Sequence, residues 1–333
     1  MARHGITAAG NWIVDHVKLI DTWPAEGMLA NIRSEATGTG GAPYNVLQDI
    51  ALLGAGITLA GVGRVGDDAD GKGIRERCRS LGIDETHLRT DPAAPTSYTD
   101  VMTLTATRQR TFFHCRGANA RFVPSDADPA ALPGRILHLG YLLLLDGMDA
   151  ADPVWGTAAA GWLASARAAG LLTSVDLVSE DSARYRSVVA PALKHVDYLI
   201  LNEIEAGRTA GIPIRDRATL DQAAESLLSL GVQGAVVIHR PEGALWLDRQ
   251  GRRIWQPSLT LPAGYIQGTA GAGDAFCAGI LFGVHEGWEP VRALRFAHAM
   301  AALCLAHETC TGGMGPMPRV EELLRRYTFP AAS

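Results

Sequence analysis

The sequence predicts an α/β protein: a doubly wound, mostly parallel sheet with helices on both faces, and a small β-sheet standing apart from it. Three observations carry that expectation. From about residue 135, near-continuous apolar runs ("RILHLGYLLLL", "LLTSVDLV", "VDYLILN", "GAVVIHR") alternate with Ala-rich helical stretches, the pattern of parallel strands buried on both faces. The segment "TSYTDVMTLTATRQRTFFHCRG" alternates with period two on either side of "TATRQR", as a β-hairpin does. Two long helical stretches, about 272–286 and 289–307, and a shorter one at 318–327 close the chain.

In chain order, residues 5–14 form a short apolar strand that delivers Asp15 at its end, followed by the Pro- and Gly-containing "TWPAEGMLANIRSEATGTGGAP". A helix starts near Pro43. Val46, Ile50 and Leu53 recur at i, i+4 and i+7, Pro43 suits the first turn, and Gly54 supplies the stop. "GITLAGVGRVGDDADG" is a strand running into a polar turn, and "KGIRERCRSLG" is a helix closed by Gly82. Beyond the hairpin, "WGTAAAGWLASARAAG" and "ATLDQAAESLLSLG" are helices between strands, and "GALWLDRQGRRIWQP" is a second hairpin-like stretch. No repeat, low-complexity tract or linker divides the chain.

Composition excludes several classes. Of 333 residues, 47% are hydrophobic and 20% charged, an ordinary globular balance. The net charge of −5 and the absence of any Lys/Arg run longer than a pair argue against nucleic-acid and membrane-surface partners. The longest apolar run, "LGYLLLL" (139–145), is far short of the ~20 residues a membrane helix needs. The N-terminus has no apolar h-region, so a cytoplasmic protein is expected. Cys78, Cys115, Cys277, Cys304 and Cys310 show no C-x-x-C spacing and read as buried, reduced thiols.

Doubly wound sheets bind ligands at the carboxyl ends of their strands. Asp15, Asp176, Asn202 with Glu205, and the loop before Asp274 all fall at such ends. In "GTAGAGDAF" (268–276), the amides of Ala270 to Asp274 lie at a helix N-terminus, where an anion is favoured. Gly271 and Gly273 let the backbone approach a phosphate, and Asp274 is placed to take a proton from a hydroxyl. The alternative is a glycine turn with Asp274 as a plain N-cap; the loop matches neither Walker A nor G-x-G-x-x-G.

In "LNEIEAG" (201–207), Asn202 and Glu205 share a face of a starting helix and suit Mg²⁺ held largely through water. Helix capping is the alternative. "GTGGAPYN" (38–45) sets Gly40 and Gly41 against a helix start with Asn45 one turn in. With Asp15 these could hold vicinal hydroxyls, or be a turn and a cap. His114, Arg116 and Asn119 leave the hairpin toward the main domain, to close over a substrate or to solvate a loop. His298, on an apolar helical face, reads as a core histidine.

The order of these signals closely resembles that of the ribokinase-like (PfkB) carbohydrate kinase family. "GGAPYNVLQDIALLGAGITLAGVGRVGDDADG" (40–71) is similar to its N-terminal signature and "GTAGAGDAFCAGIL" (268–281) to its C-terminal one, with N-x-x-E between them. The resemblance spans roughly 5–325. It implies one ribokinase-like α/β domain over 1–333, with a β-sheet lid formed by insertions at about 16–38 and 97–118. It further implies an ATP-dependent phosphotransferase that uses Mg²⁺ and forms a homodimer through the lid. By position, Asp274 would be the catalytic base, with Ala270, Gly271, Ala272 and Gly273 forming the anion hole. Asn202 and Glu205 would organise Mg²⁺, its waters and the phosphates. Asp15, Gly40, Gly41 and Asn45 would bind the sugar, with Arg116 and Asn119 from the hairpin exit. His239, Gly243 and Thr269 would contact the nucleotide, its base lying between the 239–243 turn and the 302–312 stretch.

Two departures stand out. Gly268 occupies the place where the family usually has Asp, and "IHRPEGA" (238–244) matches the usual nucleotide turn poorly. The first removes a carboxylate from the family's monovalent-cation site, so little dependence on K⁺ is expected. A sugar kinase is the leading reading. A nucleoside kinase would need an aromatic residue to stack on a base, with Trp12, Tyr44 and Phe113 as candidates. A non-catalytic binding protein is disfavoured because Asp274, Asn202 and Glu205 are all present.

Overall fold

A computed structural model describes residues 3–107 and 109–331. The first half contains β1 (Ile6–Gly10), β2 (Ile13–Ile20), β3 (Ile32–Gly40), α1 (Ala42–Leu52), β4 (Leu59–Gly66), α2 (Ala69–Ser80), β5 (Asp84–Asp91), β6 (Ser97–Leu104), β7 (Arg110–Cys115) and β8 (Ile136–Leu142). The short α3 (Asp146–Asp149) and a two-residue ladder of β9 (Ala151–Asp152) and β10 (Gly156–Thr157) lead to α4 (Ala158–Ala168). There follow β11 (Leu172–Leu177), α5 (Tyr185–Leu193), β12 (Tyr198–Asn202), α6 (Glu203–Ala210), α7 (Arg217–Ser229), β13 (Ala235–Arg240), β14 (Gly243–Asp248) and β15 (Arg253–Pro257). Three helices end the chain: α8 (Ala272–His285), α9 (Pro290–Leu305) and α10 (Met317–Arg326).

Nine strands make the main sheet in the order β15-β14-β13-β12-β11-β8-β1-β4-β5. All neighbours are parallel except the β13–β14 and β14–β15 pairs. Period-two alternation sends successive side chains to opposite faces, and here both faces are apolar. Ile136 of β8 and Val237 of β13 join a core with α1, α2, α8, α9 and α10. Leu137, Leu139 and Ile238 join a second core with α4, α5, α6 and α7. That two-sided burial explains the near-continuous apolar strands in the sequence.

The helix from Pro43 forms as the spacing predicts, with Val46 and Ile50 buried. His298 is buried and its Nε2 lies 3.1 Å from the carbonyl oxygen of Gln256, as a core histidine.

A separate four-stranded sheet has the order β3-β2-β6-β7, with β2 and β6 parallel at its centre. The hairpin expected around "TATRQR" is β6–β7; Arg108, inside the expected 97–118 insertion, lies outside the described residues. One boundary differs from expectation. The first core strand ends at Gly10, and Asp15 sits inside β2, on the small sheet. The apolar run 5–14 merges two strands because Trp12, Ile13 and Val14 are buried at the junction between the sheets.

Candidate active site

A cavity of about 400 Å³ opens between the small sheet and the carboxyl ends of β8, β11 and β12. Asp15, Gly40, Asn45, Asn202, Glu205, His239, Gly271, Gly273 and Asp274 line it together. These residues are spread over 260 positions of sequence, and only the sheet topology brings them to one rim.

Asp274 lies in the first turn of α8 and is 6% exposed. Its Oδ2 accepts a hydrogen bond from Nδ2 of Asn45 at 2.6 Å, and its Oδ1 accepts one from the Tyr141 hydroxyl at 2.7 Å. Asn45 is itself oriented by Thr39, whose hydroxyl donates to Asn45 Oδ1 at 2.7 Å. Burial raises the Asp274 pKa, against the pull of these two donors. A carboxylate so placed is a better proton acceptor than an exposed one. Gly271 caps α8 with φ 78°, and a Cβ there would meet Cys310 at 2.6 Å. Only glycine fits that turn. The amides that follow it have no acceptor inside the helix, and the plain N-cap alternative for Asp274 does not hold: Gly271 is the N-cap, with no side-chain cap, and both Asp274 oxygens face Asn45 and Tyr141 instead.

Asn202 and Glu205, by contrast, do cap their helix, with the same oxygens that the metal reading uses. Asn202 Oδ1 accepts from the Ile204 and Glu205 amides, and Glu205 Oε2 accepts from the Asn202 amide, a complete capping box. Glu205 Oε1 also accepts from Ser179 at 2.7 Å and from Asn202 Nδ2 at 2.8 Å. Burial outweighs these donors and pushes the Glu205 pKa up to about 7. Asp176, also on the rim, is raised well above its ordinary value by burial and then by Glu205 and Asp274. Three acids crowded without a counter-cation form a donor set suited to a hard divalent ion. Mg²⁺ therefore fits here. At residue 268 the chain offers no carboxylate, and a Cβ built there would lie 3.0 Å from Nη2 of Arg110.

The small sheet supplies the opposite wall. Asp15 is raised to about 7, first by burial; the Thr99 hydrogen bond opposes this, and Asp274 adds to it. Gly40 packs against that carboxylate, since a Cβ would meet Asp15 Oδ1 at 2.6 Å. Gly41 caps α1 beside it. His114 Nδ1 lies 3.0 Å from the Thr99 hydroxyl, while its Nε2 is buried with no hydrogen-bond partner among the described residues. Burial holds His114 near 4, so the ring is neutral at pH 7.

Other expected residues lie elsewhere. Arg116 does not line the cavity; its Nη1 is 2.7 Å from Asp146 and its guanidinium donates to the Leu143 carbonyl. Asn119 is fully buried and brackets Trp12, accepting from its amide and donating to its carbonyl, a strut between the sheets. Gly243 packs under Trp255 and the Gln256 carbonyl. Thr269 faces a neighbouring cavity. None of the three aromatic candidates for base stacking reaches the site: Trp12 and Tyr44 are buried, and Phe113 is half exposed and stacks on Trp23. Phe112 lines the cavity instead. Tyr141 and Ser179 escaped the sequence reading. Tyr141 was visible as the one polar tip in "LGYLLLL" at a strand end; nothing local marked Ser179.

Comparison with known proteins supplies the family. The family described as pfkB family carbohydrate kinase matches residues 8–315. Ribokinase of Arabidopsis thaliana is 28% identical over 317 residues, covering 93% of this chain and 77% of that protein. Fructokinase of Klebsiella pneumoniae is 30% identical over 296 residues, covering 86% and 91%. Among solved structures, Arabidopsis ribokinase complexed with ribose and ATP aligns with a TM-score of 0.80 at 24% identity, covering 98% of this chain and 99% of that one. A putative ribokinase II from E. coli in complex with ATP and Mg²⁺ aligns at 0.77 and 18% identity, covering 97% and 99%. The chain belongs to the pfkB family of carbohydrate kinases and is a phosphotransferase acting on a hydroxyl group.

Proposed function

We propose that the enzyme transfers the γ-phosphoryl group of ATP to a hydroxyl of an uncharged sugar. The observation that carries this reading is Asp274, buried and doubly hydrogen-bonded at the meeting point of the glycine turn and the cavity. Asp274 would take the acceptor's proton as the new O–P bond forms and the bond to the ADP leaving group breaks. Asn45 and Tyr141 would hold the carboxylate in line while the amides of the Gly271–Gly273 turn carry the charge on the transferring group. Asn202, Glu205 and Asp176 would hold Mg²⁺, largely through water, and the ion would neutralise phosphate charge. His239, 3.4 Å from a Cβ built on Gly273, would support the turn from below.

Substrate class follows from charge. Among the described residues, no Lys or Arg lines the cavity, whereas Asp15, Asp176, Glu205 and Asp274 do. A sugar acid would bring a like charge to that field with no cation to pair it. Asp15, Thr99 and the unpartnered His114 Nε2 suit neutral hydroxyls. A nucleoside acceptor is less favoured because Trp12, Tyr44 and Phe113 do not line the cavity, and Tyr141, which does, is engaged with Asp274. ADP release measured with MgATP across neutral sugars, sugar acids and nucleosides tests this. Turnover confined to sugar acids or nucleosides would overturn it.

The small sheet would act as the lid, closing over sugar to exclude water. Its outer side carries Trp23, Ile32 and Phe113, each about half exposed, which supports a homodimer formed through the lid. Ile32→Lys should then shift the sedimenting species from dimer to monomer. No helix of the described residues is long and apolar enough to cross a membrane. A cytoplasmic location is the reading that the five free cysteines support.

A further inference from the structure

The inner face of the small sheet extends past the acceptor cavity. On β7, Arg110, Phe112 and His114 occupy alternate positions and so share one face. Phe112 and His114 reach the acceptor cavity. Arg110 reaches an adjoining cavity of about 340 Å³, bordered also by Thr103, Gly268, Thr269 and Glu308. Its floor is the 266–269 stretch, which continues directly into the glycine turn at Gly271. Two chain segments thus meet there: the strand of the small sheet that contacts the acceptor, and the loop that cradles the transferred group.

A Cβ built on Gly268 would lie 3.0 Å from Arg110 Nη2 and 2.6 Å from the carbonyl oxygen of His307. The guanidinium therefore stands where a side chain at 268 would point, beside backbone carbonyl oxygen. Its positive charge is felt on both sides of the loop: it acts on Asp15 in the acceptor cavity and on Cys304 behind the turn. Cys304 in turn lies against this turn, its thiol donating to the carbonyls of Ala270 and Cys310. An arginine carries a permanent charge and five N–H donors, and no other Lys or Arg among the described residues borders either cavity.

We infer that Arg110 is a positioning residue that delivers, from the lid, the fixed positive charge which holds the 266–271 loop in its phosphate-cradling shape, in place of a monovalent cation. Gly268 is the complement of this arrangement, because a Cβ there would meet the His307 carbonyl oxygen at 2.6 Å, and its absence leaves the space that the guanidinium borders. The arrangement makes the cation part of the lid, so the cradle is completed only when β7 lies over it. This inference rests on the kinase reading, and its test separates the two.

The experiment compares wild type, Arg110→Met and Arg110→Lys in KCl, guanidinium chloride at low concentration, and tetramethylammonium chloride, at matched ionic strength and saturating MgATP. Wild type is expected to turn over equally in all three salts. Arg110→Met should lose about tenfold or more in kcat, the scale of one electrostatic contact to the transition state. K⁺ or guanidinium should restore much of that loss while tetramethylammonium should not, and Arg110→Lys should keep most of the rate. A second reading needs no turnover: K⁺ against tetramethylammonium should raise the thermal midpoint of Arg110→Met and leave wild type unmoved. Tenfold activation of wild type by K⁺, or wild-type kcat in Arg110→Met, would overturn the inference. So would a change confined to the sugar KM with no rescue by small cations, which would make Arg110 a clasp for the lid alone. Wild type inactive on every acceptor would instead refute the kinase reading, and the thermal comparison would still decide the role of Arg110.

Discussion

The two sheets treat their polar groups differently. On the main scaffold the reacting groups are satisfied before any substrate arrives. Asp274 has a donor on each oxygen, and Glu205 has Ser179 and Asn202. On the small sheet the groups are left incomplete: His114 Nε2 is buried without a hydrogen-bond partner among the described residues, and Asp15 is held by a hydroxyl and a distant thiol, with Cys310 Sγ at 3.8 Å. A satisfied group is fixed in place, whereas an unsatisfied one gains most from a ligand. On the proposed function, the difference would assign rate to the scaffold and recognition to the small sheet.

The largest effect should come from breaking the scaffold side. Asp274→Asn keeps the shape and the Tyr141 contact but removes the proton acceptor. Loss of a general base typically costs ~10²–10⁴ in rate, so kcat should collapse while ATP binding and the thermal midpoint hold. A kcat within about threefold of wild type would end the assignment.

Asp15→Asn probes the other wall. Charged hydrogen bonds are worth about 1.5–3 kcal/mol, so the sugar KM should rise on the order of tenfold or more with kcat nearly unchanged. The pH dependence sharpens it. Because the Asp15 pKa is raised to about 7, the carboxyl is mostly protonated at pH 6 and mostly ionised at pH 8. Sugar KM should therefore fall across that window in wild type, as the carboxylate becomes able to accept two hydroxyls, and stay flat in Asp15→Asn. A fall in kcat matching that of Asp274→Asn would erase the division between the sheets.

Glu205→Gln should give a smaller change in rate. Its expected signature is a higher Mg²⁺ concentration for half-maximal velocity, roughly tenfold, with sugar affinity unmoved in a binding titration. An unchanged Mg²⁺ requirement would leave Glu205 as the capping-box partner of Asn202 and nothing more.

What the sequence disclosed follows the same divide. The scaffold was legible because its signals are local: i, i+4, i+7 spacing in α1, apolar runs in β8, β11, β12 and β13, a glycine turn ahead of α8. Asp274, Asn202 and Glu205 sit at element ends, where local pattern fixes position. The small sheet was legible as a hairpin, but its contents were not. Whether Phe112 or Phe113 faces the cavity depends on strand register alone, and Asn119 and Arg116 took structural partners, Trp12 and Asp146, that lie far away in sequence. Tyr141 belongs to the scaffold and was still missed, because one hydroxyl in an apolar strand carries no periodic signal.

The scaffold does not satisfy every polar group: Gln48, Asp49, His195 and Thr209 each bury a side-chain polar atom with no hydrogen-bond partner among the described residues, and Asp49 yields the smallest expected effect. Asp49 lies one turn beyond Asn45 on α1, fully buried, and neither carboxylate oxygen has a partner among the described residues. Burial, and then the charge of Asp274, push its pKa well above the ordinary 3.8. A carboxyl whose folded pKa is raised takes up a proton on folding. Its contribution to stability is fully present below the unfolded value near 4 and is lost as pH rises toward the folded one. Asp49→Asn has the same shape and no charge at any pH. The two proteins should therefore melt together near pH 4, and the variant should gain on the order of 1 kcal/mol as pH is raised to 8. Thermal melts of both across that range read the difference directly. A gap that does not grow with pH would mean that the carboxyl is compensated in the folded state, and Asp49 would then join the satisfied groups around Asp274.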